Sequence, residues 1–219
     1  LRQPDAWPRR WDLSLLVWFF TFAALSNAFG MTPPVYSTAS WLAGLLNTTN
    51  EALLLLIIFT VLNILLPLAI GLFVAWLGRS LAGSNEPLRT SLSKFTPILV
   101  PIGFAIWFAH YGFHFVTGAL AIIPATHSFL IDHAILLFGD APNWQLSAIL
   151  PFSWLLPLQV LCIVLGFAGS YFVLGDIGRH QKTSFLAQLP WLLLLLGIAV
   201  AAIYLFTLPM EMRGTGFMH

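Results

Sequence analysis

The chain has 219 residues, 59% of them hydrophobic and only 8% charged, with a formal net charge of +1. Soluble domains carry roughly a quarter charged residues, so a water-soluble body is excluded. The dispersed basic residues form no stripe that would suit nucleic acid, and the single cysteine, Cys162, rules out an internal disulfide and a cysteine-rich zinc or iron–sulphur site.

The chain opens on Leu1, and residues 1–11 are polar with two prolines. No short apolar segment ends in a small-residue cleavage site, so this is not a cleavable signal. The expectation is a processed chain, or the later part of a longer one. A spanning helix needs about 20 mostly apolar residues. The first candidate is 13–30 (LSLLVWFFTFAALSNAFG). Residues 31–46 break at Pro33-Pro34 and then turn amphipathic. The second span, 52–77, follows Thr48-Thr-Asn-Glu51, whose spacing is that of a capping box with Glu51 covering backbone donors. The third, 96–122, carries Pro97 and Pro101 near its start; the fourth, 148–174, carries Pro151 and Pro157. The deeper Pro101 and Pro157 are candidate kinks. Between these two spans, 127–138 reads as a short helix lying in the membrane interface, with Trp41 and Trp144 at the same depth. The fifth span, 189–208, opens at Pro190 and closes near Pro209. Gly166 and Ser170 have the small-xxx-small spacing of close helix packing.

Eight of the nine basic residues fall in three stretches. Arg2, Arg9 and Arg10 precede the first span; Arg79, Arg89 and Lys94 separate the second and third; Arg179 and Lys182 separate the fourth and fifth. Residues 29–50 and 123–147 hold no Lys or Arg. Because Lys and Arg stay on the cytoplasmic side, the expected fold is an all-α integral membrane protein. It has one helical bundle domain over 1–219, five crossings, the amino end inside and the carboxyl end outside.

His110 and His114, four apart in AHYGFHF, project from one helix face. At about 1.5 Å per residue from Thr96, His110 lies roughly 21 Å into the membrane, past its midplane. His127, Asp132, His133 and Asp140 follow on the same side. A buried polar group in hydrocarbon marks a functional candidate. A metal ion held by His110, His114, His127 and His133 is one chemistry, since imidazole suits copper or zinc. The spacing alone resembles a copper site of membrane monooxygenases, which have Asp in place of His110. Haem is a second, although two histidines on one face cannot bracket one iron. Proton or quinol chemistry at His110 and His114, with Asp132 orienting a ring or relaying the proton, is a third. The remaining reading is structural: hydrogen bonds to neighbouring helices, with Asn27, Asn63 and Gln159 as available partners. His180 reads as solvated in a basic loop, and the tail MEMRGTGFMH, ending in His219, as a weak copper-binding run.

The chain contains no Gly-rich phosphate loop, no Cys-x-x-Cys and no HExxH. Its carboxylates sit at span ends or in loops, which disfavours an ion-coupled transporter and, with it, a small-solute permease.

Three stretches, SNAFGMTPPVY (26–36), IWFAHYGFHFVTGALAIIPATHSFL (106–130) and LPMEMRGTG (208–216), resemble the carboxyl-terminal transmembrane part of bacterial polyferredoxin-type (4Fe-4S) membrane electron-transfer proteins. The most distinctive matching residues are His110, Tyr111, His114, Phe115, Thr117 and Gly118. The resemblance implies a multi-pass protein of the bacterial cytoplasmic membrane that serves electron transfer between an iron–sulphur donor and a quinone or an outer acceptor. This chain lacks cluster cysteines, so a 4Fe-4S cluster would come from another segment or subunit. The leading expectation is a membrane-embedded subunit of an electron-transfer complex. Its outer-leaflet site would be built on His110, Tyr111 and His114 and linked to quinone, haem b or copper. It would be bound to the lipid bilayer and to other redox subunits, not to nucleic acid. The rival is a non-catalytic anchor that holds cofactor-bearing partners in the membrane.

Overall fold

The computed structural model describes residues 10–136 and 139–209. Arg2, Arg9 and the tail with His219 lie outside the described residues. Every regular element among the described residues is helical. Five stretches are long and apolar enough to cross a membrane: Trp11–Phe29, Glu51–Leu81, Leu88–Asp132, Phe152–His180 and Phe185–Thr207. Large apolar side chains such as Phe20, Phe104, Phe115 and Phe172 stand out from the bundle. A coat of this kind suits lipid, because water-soluble surfaces rarely expose such continuous apolar area.

The first helix, α1, runs Trp11–Phe29. Thr32 then adopts extended backbone, and Pro33 and Pro34 open α2, Pro33–Leu46. Proline at a helix start costs little, since its missing N–H would have had no intrahelical partner. The second span starts at α3, Glu51–Thr60, and here the expected cap is corrected. The capping residue is Asn50, whose Oδ1 accepts from the Leu53 N–H at 3.1 Å. Thr48 Oγ1 instead accepts from the Asn50 N–H, and Glu51 is the first helical residue. A short amide one position before the helix reaches the third N–H more directly than a hydroxyl three positions back.

A π-helical turn, Val61–Leu65, joins α3 to α4, Leu66–Leu81, making one continuous rod. Pro67 follows the turn and offers no N–H to the carbonyl four residues back, at Asn63. Wide turns of this type often mark functional positions in helices. The Ser26 hydroxyl donates to Asn63 Oδ1 at 2.5 Å, fastening α1 to the turn.

The third span is longer than 96–122. It strings α5, Leu88–Phe95, a tight 3-10 turn at Thr96–Ile98, α6, Leu99–Gly118, and α7, Ile122–Asp132. Pro97 lies in the tight turn and Pro101 in the first turn of α6, where both are tolerated. In place of the short helix expected over 127–138, α7 starts at Ile122 and ends at Asp132. The fourth span begins later than 148, because Pro151 is extended and only Leu155–His180 forms α8. Pro157 therefore sits in its first turn. The fifth, α9, starts at Phe185 behind Ser184, whose hydroxyl accepts from the Ala187 N–H. Pro190 is thus inside the helix, not at its opening.

α6 packs against both α1 and α8, and α9 packs against α8 and α4. On α6 the buried positions Leu99, Ile102, Gly103, Ile106 and His110 repeat every three or four residues, the period of one helix face. Gly166 lets α8 approach: an added Cβ there would collide with the Ala105 Cβ. One turn on, the Ser170 hydroxyl accepts the Ile102 N–H at 3.1 Å, near a helix start where intrahelical acceptors run out. The small-xxx-small pair expected from the sequence therefore lies at a close helix contact. At the other side of the core Trp191 stacks on Phe95 at 5.0 Å and meets Trp18 edge-on at 6.4 Å. The Trp18 indole donates to Thr96 Oγ1 at 3.0 Å, so this aromatic cluster hides no orphaned Trp18 N–H.

The described basic residues gather at one end of the bundle. Arg79, Lys94 and Lys182 line one cleft, and the Arg89 guanidinium lies 5.2 Å over the Trp11 ring beside Arg10.

Candidate functional site

His110 lies on the core face of α6 and is 1% exposed. Neither Nδ1 nor Nε2 has a hydrogen-bond partner. The ring meets Tyr111 edge-on at 5.2 Å and His114 edge-on at 5.0 Å. The spacing of four residues brings the two imidazoles together, as the helical period requires. His114 is only half-buried and also lies edge-on to Phe113 at 5.3 Å. Tyr111 is exposed, stacks obliquely on Trp107 at 5.2 Å, and its hydroxyl accepts from Asn27 Nδ2 at 3.1 Å. Gln159 Nε2 donates to the Ala109 carbonyl at 3.4 Å, one residue from His110 but not to its ring. The three amides expected as histidine partners, Asn27, Asn63 and Gln159, are therefore spent elsewhere: on Tyr111, on Ser26 and on backbone.

The end of α6 is clamped by the returning chain. The Ile149 N–H donates to the Val116 carbonyl at 2.8 Å, the Leu120 N–H to the Ser147 carbonyl at 3.0 Å, and the Ser147 hydroxyl to the Thr117 carbonyl at 3.0 Å. The first and third of these bonds absorb the Val116 and Thr117 carbonyls, which a helix end leaves unpaired. They hold the turn that carries His114.

The wider histidine cluster does not assemble. Among the described residues no three of the His, Cys, Asp and Glu side chains are placed to hold a metal ion. The reason is that α7 is a separate helix with its own contacts. His127 Nε2 lies 3.3 Å from the Gly139 carbonyl, and His133 Nδ1 lies 2.8 Å from the Phe129 carbonyl with its ring 4.1 Å from that of Phe129. Asp132, expected as an orienting or relaying carboxylate, is the exposed last residue of α7 and makes no hydrogen bond or ion pair with a described histidine. His180 is the last residue of α8, not a loop residue, and sits 3.3 Å from Asp176.

Haem does not fit this pair. His110 and His114 rise from one helix with nearly perpendicular rings, so they cannot approach one iron from opposite sides. A three-histidine copper site is absent from the described arrangement, and Cys162 alone cannot carry an iron–sulphur cluster, which takes four thiolates. What the arrangement offers is acid–base chemistry. A neutral imidazole accepts a proton at one nitrogen and donates from the other, and the neighbouring phenol can do either. Comparison with protein-family models, with curated proteins and with solved structures finds no match to this chain.

Proposed function

We propose that this chain is the membrane-embedded subunit or domain of an electron-transfer complex in a bacterial cytoplasmic membrane, with its amino end inside and its carboxyl end outside. His110, with His114 and Tyr111 beside it, exchanges the proton that accompanies oxidation or reduction of a quinone-like molecule. The observation that carries this reading is His110 itself: an imidazole buried in an apolar bundle with both nitrogens unpartnered. Leaving such a group unpaired costs about 1–3 kcal/mol, so its retention suits a site that uses it. The resemblance of 106–130 to polyferredoxin-type membrane proteins supports the same reading. The gathering of Arg79, Arg89, Lys94 and Lys182 at one end supports the orientation.

In the oxidative direction a quinol loses two electrons and two protons. The two electrons would leave one at a time to a one-electron carrier on a partner subunit that is reoxidised between transfers, one proton goes to an unprotonated His110 nitrogen, and the other leaves through His114 or Tyr111. Reduction runs the same steps backwards. The test is quinol oxidation by the intact complex carrying His110→Leu. Turnover should fall at least about a hundredfold, the usual contribution of one acid–base group, while co-purification of the partners is unchanged. Full turnover by that variant would overturn the assignment.

The anchor reading draws on a different observation. Phe104, Trp107, Phe108 and Tyr111 form an exposed ladder of ring contacts along α6, a surface on which a partner helix could seat. Loss of partner binding on Trp107→Ala, with His110→Leu silent in turnover, would favour it.

A further inference from the structure

At the end of the bundle where the basic residues gather, a cleft of about 470 Å³ opens between the α4–α5 connection and the α8–α9 turn. Arg79, Lys94 and Lys182 line it, against a single carboxylate, Glu86. Glu86 is already paired with Lys94 at 2.5 Å. Two cations, Arg79 and Lys182, therefore lack a counter-charge within it, and neither makes an ion pair with another described residue.

Two buried polar atoms of its lining also lack partners: Arg79 Nε and Thr183 Oγ1. Thr183 is held in place by its backbone, the N–H donating to the Gly178 carbonyl at 3.1 Å and the carbonyl accepting from Gln188 Nε2 at 3.1 Å. Lys182 turns the chain at φ 50°, a left-handed conformation that costs a non-glycine residue energy. The turn is thus built, not slack. The 23-residue α9 begins here at Phe185, behind its cap Ser184, so its first N–H groups and the positive end of its dipole add to the same field.

The geometry points to a binding site for a phosphate group, with the Arg79 guanidinium as principal ligand, Thr183 Oγ1 as a second donor and Lys182 closing over the exposed side. A guanidinium fork matches phosphate oxygens, and a basic pocket at a membrane surface meets such oxygens on lipid headgroups. The phosphate can therefore belong to an anionic phospholipid or be free in solution. Neither source depends on the redox reading of His110.

The test uses the full chain, purified in detergent and stripped of lipid. Native mass spectrometry follows added phosphatidylglycerol, with phosphate-free diacylglycerol as the matched control, and thermal unfolding follows added inorganic phosphate. Retention of phosphatidylglycerol but not diacylglycerol assigns a headgroup site; stabilisation by inorganic phosphate assigns a free anion site. In either arm Arg79→Gln should weaken binding about tenfold, the worth of one charge-assisted bond, and Lys182→Gln, on the exposed turn, should weaken it less. Arg89→Gln removes the same charge outside the cleft and should leave binding intact. Equal losses for Arg79→Gln and Arg89→Gln would reduce the effect to bulk charge and overturn the site, as would no binding in both arms.

Discussion

At the scale of single residues, His110 and Ser170 are both fully buried in the bundle, with opposite bookkeeping of hydrogen bonds. Ser170 is fully buried and its oxygen takes a backbone N–H, whereas His110 is fully buried and takes nothing. Replacing His110 by Leu should leave the isolated chain at least as stable as the parent, because it removes an unsatisfied polar group of about 1–3 kcal/mol while filling the space. His110→Ala should lower stability by about 2 kcal/mol or more through the cavity it opens. Thermal unfolding in detergent checks both; a large loss for His110→Leu would mean that the ring has a bonding partner. The pairing of His110 with His114 was legible, because four residues is one helical turn. The scattering of His127, His133 and Asp132 was not, because spacing along a loop says nothing about the contacts that α7 makes for itself. The phosphate cleft was equally hidden: Arg79, Lys94 and Lys182 are far apart in the chain, and each alone reads only as a marker of sidedness.

At the scale of helices, α6 and α8 approach closely at Gly166. Gly166→Ala would drive a methyl group into Ala105, and such overpacking costs about 1–3 kcal/mol. Ala105→Gly in the same chain should recover most of that loss, and a double-mutant cycle on unfolding midpoints measures the coupling. Absence of rescue would place the strain elsewhere, against the Pro101 carbonyl. The five long apolar stretches were legible because lipid demands length and apolarity together. Their ends were not, because helices outrun the hydrocarbon: α8 continues six residues past Leu174 to His180, and α9 starts before Pro190. The cap at Asn50 was masked by a neighbouring Thr and Glu in a pattern that imitates a different motif.

At the scale of the whole molecule, the arrangement is polarised, with arginine and lysine at one end and α7, with His127 in it and His133 just past it, near the clamped end of α6. In a Cys162→Ala background, an impermeant maleimide added to intact cells should label Asn143→Cys and spare Ser84→Cys until the membrane is opened. The reverse result would invert the orientation and with it the side from which a quinol would reach His110. Polarity of this kind was legible from eight of the nine cations. How the two ends are geared together was not, and the π turn at Val61–Leu65 supplies the answer. An α-helix advances about 100° per residue, so one residue taken up in a wider turn resets the phase of everything beyond it. Leu54 and Ile58 face inward before the turn, and Pro67, Gly71, Val74 and Gly78 face inward after it, a series that an unbroken helix would not continue. Losing a single residue from that stretch should close the wide turn to ordinary helix and leave Gly78 on α9 and Arg79 in the cleft, whereas closing the turn with every residue kept would swing both away by about 100°: a vernier set once, in the middle, for both faces of the membrane.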